Sequence, residues 1–120
     1  MSAADDVSEL VEAWITLPDV GEVLTLDILK VRQLLRDGRL LAIRPDEGPL
    51  RVPAAFLTGD GEIVKSLAQV ITLLRDNRYA DEEAIRWLFT ADDSLPGTPI
   101  QALIENRGTE VKRRAQASAF

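Results

Sequence analysis

The feature that most constrains this chain is the punctuation of residues 16–57, which read TLPDVGEVLTLDILKVRQLLRDGRLLAIRPDEGPLRVPAAFL. Pro18-Asp19 opens a run in which Val20, Val23 and Leu24 supply an inward face, with Asp19 suited to capping or favouring the positive helix end. Thr25-Leu26-Asp27 is a turn, and Asp27 is a good N-cap for a second helix over residues 28–36. In that helix Val31, Leu34 and Leu35 share one face, while Lys30, Arg32, Gln33 and Arg36 lie largely elsewhere. Gly38 stops it, because a glycine just past the last turn tolerates the left-handed backbone that closes a helix. Residues 40–44 then read as a strand and residues 50–52 as its partner. Pro45-Asp46-Glu47-Gly48-Pro49 between them is dense in turn residues. Pro53 ends the second strand, since it cannot donate to a ladder.

Helix, tight turn, helix and hairpin is the order of a small winged helix-turn-helix, with residues 28–36 as its second helix and residues 45–49 as its wing. Before it, Val7, Leu10, Val11 and Trp14 recur at helical spacing among acids. That segment, residues 1–15, is either a leading helix that docks Trp14 on the core or a partly ordered acidic tail. After it, Thr58-Gly59-Asp60-Gly61 is a loop and the best internal boundary. Residues 58–120 read as a helical unit. Ser66 is placed to cap a helix carrying Leu67, Val70, Ile71 and Leu74, and Asp81 one carrying Ala84, Ile85, Trp87, Leu88 and Phe89. Pro99 sits well in the first turn of a third helix. The expected fold is mainly α: a winged helix-turn-helix with a small β-hairpin wing, then a C-terminal helical bundle.

Composition narrows what such a unit can do. The 120 residues contain no cysteine and no histidine, which removes disulfides, thiolate nucleophiles, imidazole bases and Cys/His zinc sites. No metal and no cofactor are expected. Asp92-Asp93 is a carboxylate pair, but adjacent residues on a polar loop seldom converge on one substrate. Gly59-Asp60-Gly61 lacks the GK[ST] ending of a phosphate loop. An enzyme is therefore not expected. No run reaches the length of a membrane span, and the acidic start MSAADDVSEL is unlike a secretory signal, so a cytoplasmic protein is expected.

The net charge of −6 is unevenly spread: residues 1–24 carry −6, residues 25–57 carry +2, residues 58–98 carry −4 and residues 99–120 carry +2. The candidate helix-turn-helix is thus a positive segment in an acidic protein, where local field can outweigh net charge.

With these residues in view, 16–57 resembles the winged helix-turn-helix of excisionase and MerR-type proteins. The match lies in Val20 to Leu24, Val31, Leu34-Leu35, Arg36-Asp37-Gly38, Leu40, Ile43-Arg44 and Val52-Pro53. More broadly, residues 16–120 resemble an actinobacterial family of DNA-binding proteins, known in mycobacteria as substrates of a membrane Ser/Thr protein kinase. Val64-Lys65-Ser66-Leu67, Arg86-Trp87-Leu88-Phe89-Thr90 and Val111-Lys112-Arg113-Arg114-Ala115-Gln116-Ala117 carry that resemblance. It implies binding to double-stranded DNA, a helical C-terminal domain, and control by threonine phosphorylation in an N-terminal tail, hence a Ser/Thr protein kinase as a partner. Here no threonine precedes Thr16, and phosphate added nearby would repel DNA.

The DNA reading, a transcriptional regulator, assigns Gln33 to a base edge and Lys30 and Arg36 to phosphate or guanine, with Arg32 on the same helix. Arg39, Arg44 and Arg51 flank the helix end and the wing and add phosphate contacts. A homodimer is expected, because two half-sites multiply affinity. Two features pull the other way. Ile28 and Leu29 stand where relatives often have polar residues, and Asp46 and Glu47 at the wing tip repel phosphate. The alternative is a protein-interaction module, since residues 79–114 more weakly resemble the helical domain by which some antitoxins hold their toxins.

Overall fold

The computed structural model describes residues 3–45, 48–92 and 95–118, with side chains from Val7 onward. Asp46, Glu47 and Asp93, each singled out from the sequence, lie outside the described residues. The chain is mainly helical. Helix α1 spans Ala3–Leu10, strand β1 Trp14–Thr16, α2 Leu17–Leu24, α3 Ile28–Arg36 and strand β2 Arg51–Pro53. One 3-10 turn follows at Ala54–Phe56, then α4 (Leu67–Asp76), α5 (Asp81–Phe89), α6 (Pro99–Ile104) and α7 (Gly108–Ala117).

The helix-turn-helix is built as its residues dictate. Thr16 caps α2, its hydroxyl accepting from the Asp19 amide at 3.3 Å, so Asp19 lies in the first turn rather than at the cap. Asp27 caps α3, its carboxylate accepting from the Lys30 amide at 2.9 Å. The turn after α2 folds back tightly over Gly21 of that helix, where a Cβ would stand 2.7 Å from the Leu26 carbonyl oxygen. Only glycine admits that approach. Gly38, at φ +73°, closes α3 in the left-handed region as expected.

The sheet differs from its expected form. Its two strands are β1 and β2, antiparallel, with Trp14 opposite Pro53, Ile15 opposite Val52 and Thr16 opposite Arg51. Residues 40–44 do not form a strand. Only Ile43 reaches β2, exchanging backbone hydrogen bonds with Arg51 at 3.1 and 2.8 Å. The reason lies in the side chains. Leu40, Leu41 and Ile43 are all buried, so the run is held by packing into the core rather than by a backbone ladder. Pro45 and Pro49 also lack the N–H groups that would extend a ladder. The segment leading into β2 therefore meets its edge through the single bridge at Ile43. Trp14 starts β1 instead of ending a helix, because α1 stops at Leu10 and the aromatic and β-branched run Trp14-Ile15-Thr16 favours a pleat.

Helices α4 and α5 follow the expected apolar spacing, each burying four residues. Their starts do not. Ser66 makes no side-chain cap, and Ala80 precedes α5, its amide donating to the Glu83 carboxylate at 2.8 Å. One core joins both halves of the chain. Phe56, just after β2, meets Phe89 of α5 edge-on, with ring centroids 5.7 Å apart. Val7 and Val11 are buried with them, and α1 packs against α5. The C-terminal end is pinned from inside. The Asn77 amide donates to the carbonyls of Ala115 and Ser118 at 2.9 and 2.6 Å, and the Trp87 indole N–H to the Ser118 hydroxyl at 3.1 Å.

Candidate nucleic-acid interface

Helix α3 is fixed at its ends and anchored at one point. Of its nine residues only Val31 is buried, with Leu34 and Leu35 half-buried beside it. Successive helical residues turn by about 100°, so Leu29, Gln33 and Arg36 fall on the side turned away from Val31. All three are exposed. Arg32 and Lys30 lie on the two flanks of that face, also exposed.

Each flank borders a cleft. On the wing side, Arg32 and Arg44 line a cleft of about 290 Å³ with Ile28, Pro18, Pro49 and Leu50. On the other, Lys30, Gln33 and Arg39 line a cleft of about 290 Å³ with Leu26, Leu34 and Asp37. The fold thus gathers six of the seven candidate residues on or beside the open face of α3. Arg51 stands apart, half-buried in β2. Arg44 is braced as well as exposed: its guanidinium donates to the Gly48 carbonyl at 3.0 Å, tying the two ends of the wing turn together. No sequence pattern announced that bond, nor the walls that Pro18 and Pro49 supply to the wing-side cleft.

Five cations and one carboxamide within or beside a solvent-facing helix make a surface that attracts a polyanion. Among the described residues no cluster of three or more acidic side chains could hold a metal ion, and no helix is long and apolar enough to cross a membrane. Elsewhere, a cleft of about 570 Å³ opens beside α5, lined by Tyr79, Glu83, Arg86, Trp87 and Pro99 among others.

A capped second helix with an open cationic face, a tight turn before it and a segment bridged to β2 after it define a winged helix-turn-helix protein. Residues 1–57 match the family described as "DNA-binding protein Rv2175c, wHTH domain", and residues 64–119 match "Rv2175c C-terminal domain of unknown function". The chain belongs to this family. It is 42% identical over 130 residues to "DNA-binding protein Rv2175c" of Mycobacterium tuberculosis, covering 98% of this chain and 88% of that one. Its fold is similar to the NMR structure of Rv2175c, with a TM-score of 0.82 at 40% identity, over 91% of this chain and 82% of the other.

Proposed function

We propose that this chain binds double-stranded DNA through α3 in the major groove and acts as a transcriptional regulator. The observation that carries the reading is the open face of α3: a helix whose core side is the buried Val31 with half-buried Leu34 and Leu35, and whose far side presents Gln33 and Arg36, with Lys30 and Arg32 at its flanks. Gln33 is the base reader, by its two-pronged match to adenine. Lys30, Arg32, Arg36, Arg39 and Arg44 hold phosphates and set the register. The family's printed description, a DNA-binding protein with a winged helix-turn-helix domain, supports the same reading. Two copies on half-sites one helical turn apart are the expected arrangement.

Fluorescence anisotropy of labelled duplex DNA, titrated at several salt concentrations, tests it. Binding should weaken steeply with salt. Lys30→Ala and Arg36→Ala should each weaken it further and lower the log–log salt slope by about 1. An unchanged slope in both variants removes α3 from the groove. A second reading, a protein partner held by the C-terminal helices, is favoured by the cleft beside Trp87. It takes precedence if no duplex is bound even at low salt.

A further inference from the structure

Leu29 is 71% exposed, the most exposed large apolar side chain among the described residues. It is the second residue of α3, in its first turn. Ile28 beside it turns to the wing-side cleft, where Leu17, Pro18 and Leu50 surround it. Leu29 points instead to the side of α3 opposite Val31. Its neighbours one and two turns on, at spacings of three, four and seven residues, are Arg32, Gln33 and Arg36, all exposed. A protein partner buries contiguous apolar patches, whereas the apolar surface here is Leu29 with the part-exposed Ile28 before it, in a polar, cationic frame. The chemistry that complements it is a polyanion with an isolated apolar group among its hydrogen-bonding edges. Duplex DNA offers that in the major groove, where the C5-methyl group of thymine projects beside donors and acceptors.

We propose that Leu29 is a specificity-determining residue that packs on the C5-methyl group of a thymine while the surrounding cations hold the backbone. This rests on α3 lying in the major groove, where the N-terminal residues of such a helix meet base edges. Gln33, one turn further along the same face, then meets adenine, and the two together select A·T pairs.

The test uses the full chain and two alternating duplexes, dA-dT and dA-dU, which differ by that methyl group. Burying one methyl-sized group is worth ~0.8 kcal/mol, or about fourfold in affinity. Wild-type protein should bind the thymine duplex about fourfold tighter per contacted methyl. Leu29→Ala should bind the two equally; the side chain is exposed, so the fold is untouched, which a thermal melt checks. A mixed-sequence duplex made with cytosine or with 5-methylcytosine separates the two sources of a C5-methyl group. A preference seen only for 5-methylcytosine overturns thymine as the target. Equal, salt-steep binding of the thymine and uracil duplexes by wild type, or a thymine preference that survives in Leu29→Ala, overturns the role of Leu29 and leaves the groove assignment standing. Absence of binding to every duplex at low salt takes down both.

Discussion

Helices α3 and α4 are nearly equal in length, nine and ten residues, and both are amphipathic, yet they are held in opposite ways. α4 is held by its face: Leu67, Val70, Ile71 and Leu74 are buried, and its N-terminal residue Ser66 makes no cap bond. α3 is held by its ends: Asp27 caps one, Gly38 closes the other, and Val31 alone is buried between them. A helix fastened by its face keeps only a narrow strip in solvent, in α4 Gln69, Thr72 and Asp76. A helix fastened by its ends keeps most of its circumference open, which is what a groove-reading element requires. Capping here does the work that burial does elsewhere.

The sharpest way to break this contrast is to disturb what the two regions share. Phe56→Ala removes the ring that meets Phe89 and should cost about 3–5 kcal/mol. The chain has one tryptophan in each half, Trp14 and Trp87. In Trp14→Phe and in Trp87→Phe, urea unfolding followed by the remaining indole should coincide with that followed by far-UV circular dichroism of the same variant, with Phe56 present or replaced by Ala alike. Separated midpoints would mean that each half stands on its own core. A smaller effect sharpens the contrast. Asp27→Ala should cost about 1 kcal/mol of stability and weaken DNA binding with the salt slope unchanged, because it loosens α3 without removing a phosphate contact. Ser66→Ala, at the equivalent place before α4, should change stability far less.

The smallest effect lies in the C-terminal half. Hydrogen bonds from Gln101 and Arg107 hold the exposed Glu105 carboxyl below its usual pKa. A lowered folded-state pKa stabilises at neutral pH, and that contribution is lost as pH falls through it. Glu105→Gln should therefore be slightly less stable than wild type at neutral pH, with the gap closing as pH falls through the lowered folded-state pKa. DNA binding should be unaffected.

The elements legible in the sequence are those whose signals are local. Asp27, the apolar spacing of Val31, Leu34 and Leu35, and Gly38 bound α3 within a span of twelve residues. The spacing that buries Val31 also fixes which side Gln33 and Arg36 face. Strand β1 was not legible, since three residues are too few for a period and its partner β2 lies over thirty residues away in sequence. The strand expected at 40–44 failed for a related reason: an apolar run looks alike whether it pleats or simply packs, and only the backbone pairing, limited here to Ile43 with Arg51, distinguishes them. The bond from Arg44 to Gly48 depended on the shape of a turn, which composition suggests but does not specify.

The pairing of β1 with β2 also has a consequence for anyone who cuts this chain. Residues 14–16 shield one edge of β2, and the bridge at Ile43 occupies the other. A fragment beginning at Leu17 would keep every candidate DNA-contacting side chain and still expose an unpaired strand edge beside the apolar Val52. Such an edge is a template for other chains. The minimal soluble DNA-binding piece of this protein must therefore start upstream of the helix-turn-helix it is meant to isolate.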